Sequence, residues 1–192
     1  MNNSPKLTAE QFVEKLLELP EGGRWHELDC GQVNMLQAPD VDHGTAVLNL
    51  SKAIAAWAGQ TPDVGYLCFD LALLIQRDPD TVMSPAISYF VEGERFAESD
   101  KMMSTMVPAM VVEIASTNDR RTAMRERVIR YHECGVNEVW VADPLEKTIR
   151  VLPSGEATQL LAEHHVMENR PVMPGFSIPV KTLFAEPEWW SK

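Results

Sequence analysis

The chain has 192 residues, 45% of them hydrophobic, with 17 basic and 28 acidic side chains for a formal net charge of −11. That composition suits a single globular domain and argues against a sequence-independent nucleic-acid coat protein, though not against a local basic groove. Cys30, Cys68 and Cys134 are too widely spaced for a CxxC metal pattern or a disulfide framework. They read as reduced thiols of a cytoplasmic protein. No apolar signal core follows the first residues, and no run approaches the ~18 consecutive apolar residues of a membrane span.

In chain order, Thr8 and Gln11 form a capping box ahead of a helix whose Phe12, Leu16 and Leu19 share one face. Pro20-Glu21-Gly22-Gly23 stops it. Residues 24–28 and 32–36, joined by Asp29-Cys30-Gly31, predict a hairpin. If Trp25 faces inward, alternation turns Glu27 the same way, and an inward carboxylate is costly unless it is paired or functional. Asp42 is the expected N-cap of a helix from about residue 45 to 59, with His43 in its first turn. Residues 65–75 read as one strand or two, interrupted by Asp70. A turn at 76–80 leads to a further strand region over 82–91. Residues 92–104 read as a polar loop with one helical turn.

Residues 107–115 form a nearly continuous apolar run carrying one carboxylate, Glu113. That is the pattern of a central strand covered on both faces. Asn118 and Asp119 are expected to cap a helix bearing Arg120, Arg121, Arg125, Arg127 and Arg130, with Gly135 at its end. Residues 138–144 read as the next strand, which completes a β-α-β unit. A late hairpin turns around Pro153-Ser154-Gly155. Residues 171–184 read as a proline-rich wrap with a final helical turn, and 185–192 as a tail with Trp189 and Trp190. The sum is one α/β (α+β) domain: a mixed sheet flanked by helices, with its core over about 7–184.

A carboxylate in an apolar strand, followed by a basic helix, suits a phosphodiester-handling site. Mg²⁺ takes one or two carboxylates, with water and substrate oxygens completing its shell, and Glu27 and Glu113 are the candidates. A structural Glu113, paired with one of the arginines that follow, would give the same pattern. The arginines themselves suit bidentate phosphate contacts, or a solvated face held by pairs such as Glu126–Arg130. No GxGxxG, Walker loop or GxSxG occurs, and His164 and His165 lack a third ligand at metal-site spacing.

The segments GGRWHELDCGQV, APDVDHG, SPAISYF, PAMVVEIAS, RERVIRYHECGVNEVWVADP and MPGFSIPVKTLF together resemble the Uma-two family of putative restriction endonucleases, a branch of the PD-(D/E)xK nuclease fold. The resemblance spans about 7–184. It implies a restriction-endonuclease-like fold, Mg²⁺-dependent hydrolysis of DNA phosphodiesters and a homodimer. The implied site has an early Glu, matched by Glu27; an Asp after Pro; a Glu in a strand, matched by Glu113; and a Lys four residues before a Tyr. Here Ala86 stands in the Asp position and Arg127, four before Tyr131, in the Lys position. Pro108-Ala109 replaces a second Pro-Asp pair. An Ala methyl holds no metal, and a guanidinium does not release a proton near neutral pH. The resemblance with these departures implies an endonuclease whose catalytic residues are Glu27, Glu113 and Arg127, whose metal ligands are Glu27 and Glu113, and whose site is degraded at Ala86: a pseudoenzyme. The alternative is a non-catalytic nuclease-fold module for binding or oligomerisation. Asp70, Asp80 and Glu92 are the candidate carboxylates for the missing role, with no spacing rule to choose among them. The net charge of −11 favours the non-catalytic alternative, and the expected partners are DNA, through the basic helix, or another protein.

Overall fold

The computed structural model describes residues 6–93, 101–187 and 190. Helix α1 (Ala9–Lys15) opens with the predicted capping box: Gln11 N donates to Thr8 Oγ1 at 3.2 Å, and Thr8 N to Gln11 Oε1 at 3.0 Å. Two 3₁₀ turns, Leu16–Glu18 and Pro20–Gly23, lead to strands β1 (His26–Asp29) and β2 (Gln32–Met35). These pair antiparallel across Cys30 and Gly31, at φ 50° and 82°. Two left-handed central residues match the twist of the flanking strands.

Helix α2 (Val41–Ala58) begins earlier than the sequence suggests. Asp40, not Asp42, is the N-cap, because its Oδ1 accepts from His43 N at 2.9 Å. Strands β3 (Tyr66–Phe69) and β4 (Ala72–Gln76) are separated by Asp70 at φ 49°. The strand region expected over 82–91 holds two strands, β5 (Thr81–Met83) and β6 (Ile87–Phe90), in different sheets. Pro85 between them has no N–H to give a ladder. Then come β7 (Met103–Ser104), β8 (Met110–Ile114), α3 (Asn118–Cys134) and β9 (Glu138–Asp143). Strands β8 and β9 are parallel, with α3 as their crossover, as the apolar run and basic helix imply. Thr117 caps α3 in place of Asn118 or Asp119, its hydroxyl accepting from Arg120 N at 3.3 Å. Gly135 ends the helix at φ 107°.

Strands β10 (Thr148–Pro153) and β11 (Gln159–Ala162) form the late hairpin. The expected proline-rich wrap is instead β13 (Met173–Pro179), paired with β12 (Val166–Arg170), before the short α4 (Val180–Leu183). Proline is confined to strand edges, and in a two-stranded ribbon both strands are edges. The helical turn expected within 92–104 falls largely outside the described residues, as does Trp189. Among the described residues, no helix is long and apolar enough to cross a membrane.

One sheet runs β2-β1-β5-β4-β7 and the other β11-β10-β9-β8-β6-β3. Strand alternation decides what β8 presents to each side. Met110, Val112 and Ile114 pack with Ala46, Leu50 and Ile54 of α2. Val111 and Ala115 pack with Met124, Val128 and Tyr131 of α3. Glu113 shares the α3 side by the same period of two. A third cluster joins Ala9, Phe12 and Leu16 to Leu28 and Val82, which leaves Glu27 and Asp29 on the opposite side of β1 from Leu28.

Candidate active site

Glu113, at the end of a fully buried strand, meets the helix that follows it. On α3 the residues 124, 127, 128 and 131 recur at i, i+3, i+4 and i+7, one face of a helix, and all four are buried. Three of them are the core residues Met124, Val128 and Tyr131; the fourth is Arg127. Its guanidinium closes on two carboxylates. Nε donates to Glu113 Oε1 at 2.9 Å and Nη2 to the same oxygen at 2.6 Å. Nη1 donates to Glu27 Oε2 at 2.6 Å and Nη2 to Glu27 Oε1 at 3.0 Å. The Tyr131 hydroxyl donates to Glu113 Oε1 at 2.5 Å. Ser84 N donates to Glu27 Oε1 at 2.7 Å, which ties the cluster to the loop between β5 and β6.

The same geometry repeats one turn along. Asp29, two residues on from Glu27 in β1, accepts from Arg130, three on from Arg127 in α3, at 2.6 Å. Two residues of strand rise about 6.6 Å and three of helix about 4.5 Å, a mismatch the long arginine side chains span, so β1 is zipped to α3 by two ion pairs. Arg130 also holds Glu126 at 2.5 Å, the i,i+4 pair legible in the sequence. Arg121 is held by Asp143 at 2.9 Å.

Burial opposes the charge on Arg127, but Glu113, Tyr131 and Glu27 around it hold its pKa well above the ordinary value. Burial likewise drives the Tyr131 phenol far up, against the pull of Arg127. The cluster therefore carries a permanent guanidinium and a neutral phenol at any physiological pH.

The structure brings Glu27, Glu113 and Arg127 together as the sequence suggests. Ala86 is buried close by, lining with Glu27 and Ser84 a cavity of about 490 Å³. Asp70 lines the same cavity, and its N–H reaches Ala86 O at 3.3 Å. Asp80 lies elsewhere, accepting from Ala9 N at 2.7 Å and from Arg77 at 2.9 Å. Glu92 is exposed beside Val91, away from the cluster.

These residues do not fit a divalent cation as they stand. Both Glu27 oxygens and Oε1 of Glu113 already accept from the guanidinium. Glu113 Oε2 alone has no hydrogen-bond partner among the described residues. Mg²⁺ needs near-octahedral oxygen donors, and no group of three His, Cys, Asp or Glu side chains among the described residues is arranged to hold a metal. A fixed positive charge between the carboxylates also repels a second cation.

Sequence reasoning used Tyr131 only as a landmark and overlooked its hydroxyl; the i,i+4 spacing from Arg127 was the available signal. It also missed the cavity wall. Arg120, in the first turn of α3, reaches Gln37 O at 3.4 Å through Nη2, while its Nε has no partner among the described residues. His43 is 6% exposed and its Nδ1 is likewise unpartnered. Burial, with Arg120 nearby, lowers the His43 pKa to about 4 against the opposing pull of Asp40. Burial raises that of Asp70, which Arg120 opposes and Glu113 reinforces.

A folded pKa below the usual ~6.5 means His43 favours the native state above that pH and disfavours it as protonation sets in. The stability advantage of wild type over His43→Gln is expected to shrink by about 2–3 kcal/mol as the pH falls from 6.5 to 4. Urea titrations of both proteins across that window measure it; parallel profiles would rule it out.

A family model described as "Putative restriction endonuclease", Uma2, matches residues 13–181. Among solved structures, a putative nuclease belonging to DUF820 from Anabaena variabilis superposes with a TM-score of 0.73 at 18% sequence identity, covering 90% of this chain and 96% of that one. No curated protein matches the chain.

Proposed function

The chain belongs to the Uma2 family of putative restriction endonucleases, and from that premise we propose that it is a PD-(D/E)xK-type nuclease-fold protein in which metal-dependent cleavage is impaired and binding is the retained activity. The observation that carries this reading is the fork of Arg127 closed on Glu27 and Glu113. Where a lysine would present one mobile charge, the guanidinium bridges both carboxylates and stands in for the cation they would otherwise share. Ala86 offers no third oxygen. Duplex DNA along α3 is disfavoured as the ligand, since Arg121, Arg127 and Arg130 are each held by carboxylates.

Calorimetric titration of Mg²⁺ and Mn²⁺ tests the reading, with wild type beside an Ala86→Asp/Arg127→Lys double variant. The expected result is no metal binding by wild type and defined binding by the double variant, whose new carboxylate faces the cavity. Stoichiometric binding by wild type would overturn the proposal.

A further inference from the structure

We propose that the cavity beside the Glu27–Arg127 cluster is a nucleotide site, with Arg120 taking the phosphate, Trp25 stacking the base, and His43 and Asp70 reading the base edge. The inference goes beyond impaired cleavage and does not need a metal.

The cavity, about 490 Å³, is of the size that encloses a small organic ligand. Its wall is neither uniformly apolar nor uniformly charged. Trp25 is partly exposed on it and held at φ 63°, a backbone region a bulky residue rarely adopts. The turn is fixed because Leu36 N donates to Trp25 O at 2.6 Å. A rigid aromatic face at a cavity wall is a stacking platform for a base.

Opposite chemistry comes from the helix starts. Arg120 lies in the first turn of α3, where the backbone amides add positive potential. Its Nε lacks a partner among the described residues, and its Nη2 makes a long bond to the Gln37 carbonyl. Arg120 acts electrostatically on both His43 and Asp70, so the three form one group. His43 is buried and neutral near pH 7, with Nδ1 unpartnered among the described residues. A neutral imidazole and a carboxylate offer the donor and acceptor atoms that a base edge needs. A buried polar nitrogen without a partner is costly, and a bound base would relieve that cost.

The net charge of −11 selects a short ligand. One phosphate meets Arg120, whereas the further phosphates of a long strand add charge that a chain with this net charge repels. The ligand chemistry is therefore one nucleotide unit, either a free nucleoside monophosphate or a single unstacked nucleotide of a strand.

The test is calorimetric titration of the full chain, in EDTA, with the four nucleoside 5′-monophosphates, a short oligothymidylate, ribose 5-phosphate and inorganic phosphate. Binding of a monophosphate, weakened at least tenfold by Arg120→Gln and by Trp25→Leu but kept by Trp25→Phe, is the expected result. Binding of the oligonucleotide alone, with the same variant pattern, assigns the site to a strand. Circular dichroism melts of each variant separate lost binding from lost fold. The proposal is overturned if no nucleotide or oligonucleotide binds, if phosphate or ribose 5-phosphate binds as tightly as the nucleotides, or if well-folded Arg120→Gln binds like wild type. Because EDTA removes metals, none of these outcomes bears on the impaired-cleavage reading.

Discussion

Arg127→Met is expected to destabilise the protein by about 3–5 kcal/mol, because it strands two carboxylates in the interior. The Glu27 and Glu113 side chains are 7% and 1% exposed, so water cannot take the place of the guanidinium. For a chain of this length that loss lowers Tm by roughly 7–12 °C. Arg130→Met is the control. It breaks ion pairs to Asp29 and Glu126, whose side chains are 44% and 70% exposed, and exposed pairs contribute under about 1 kcal/mol. Arg127→Lys should fall between the two, since one ammonium cannot reproduce a planar fork shared by two carboxylates. Thermal melts at neutral pH decide the matter. If Arg127→Met melts no lower than Arg130→Met, the buried cluster is not an electrostatic keystone of the β1–α3 contact.

The β8-α3-β9 unit was the most legible part of the chain, because one continuous apolar run, one helix cap region and one terminal glycine all agree there. The cluster was legible in its members but not in its connections. Glu27 and Glu113 are 86 positions apart in the numbering, and only the packing of two different sheets against α3 brings them within reach of one guanidinium. The choice left open by composition, a functional Glu113 or one paired with a following arginine, depends on that packing. Pairing is what the structure contains. Other departures have local causes. Asp40 outcompetes Asp42 as a cap because its carboxylate sits three residues before the His43 amide. Strand β13 was hidden by Pro174 and Pro179, which look like breakers in sequence and are exposed in the ribbon. The cavity was hidden because Trp25, His43, Asp70 and Arg120 come from four separate segments, with Trp25 and Asp70 in left-handed conformations no spacing rule anticipates.

The second large effect is a recovery. Replacing the cluster as a unit, with Glu27→Gln, Glu113→Gln and Arg127→Met together, is expected to regain at least half of what Arg127→Met alone removes. The single variant suffers mainly from uncompensated charge, and the triple variant has none. Buried ion triads exchanged for well-packed apolar side chains of similar volume are often no less stable than the originals. The carboxamide oxygens would keep two acceptors in place, one for Ser84 N and one for the Tyr131 hydroxyl. What remains is the cost of two unpaired amide groups, about 1 kcal/mol each at the low end of such penalties. Urea unfolding of wild type, single and triple variants gives the comparison, and a triple variant less stable than Arg127→Met would show that the fold depends on the charges themselves. Recovery carries a further consequence. If a neutral cluster holds β1 against α3 nearly as well as a charged one, stability does not account for two carboxylates and a guanidinium buried beside a cavity. Their electrostatic field on a ligand in that cavity then becomes the remaining physical role, and the triple variant, still folded, is the protein in which to measure its loss.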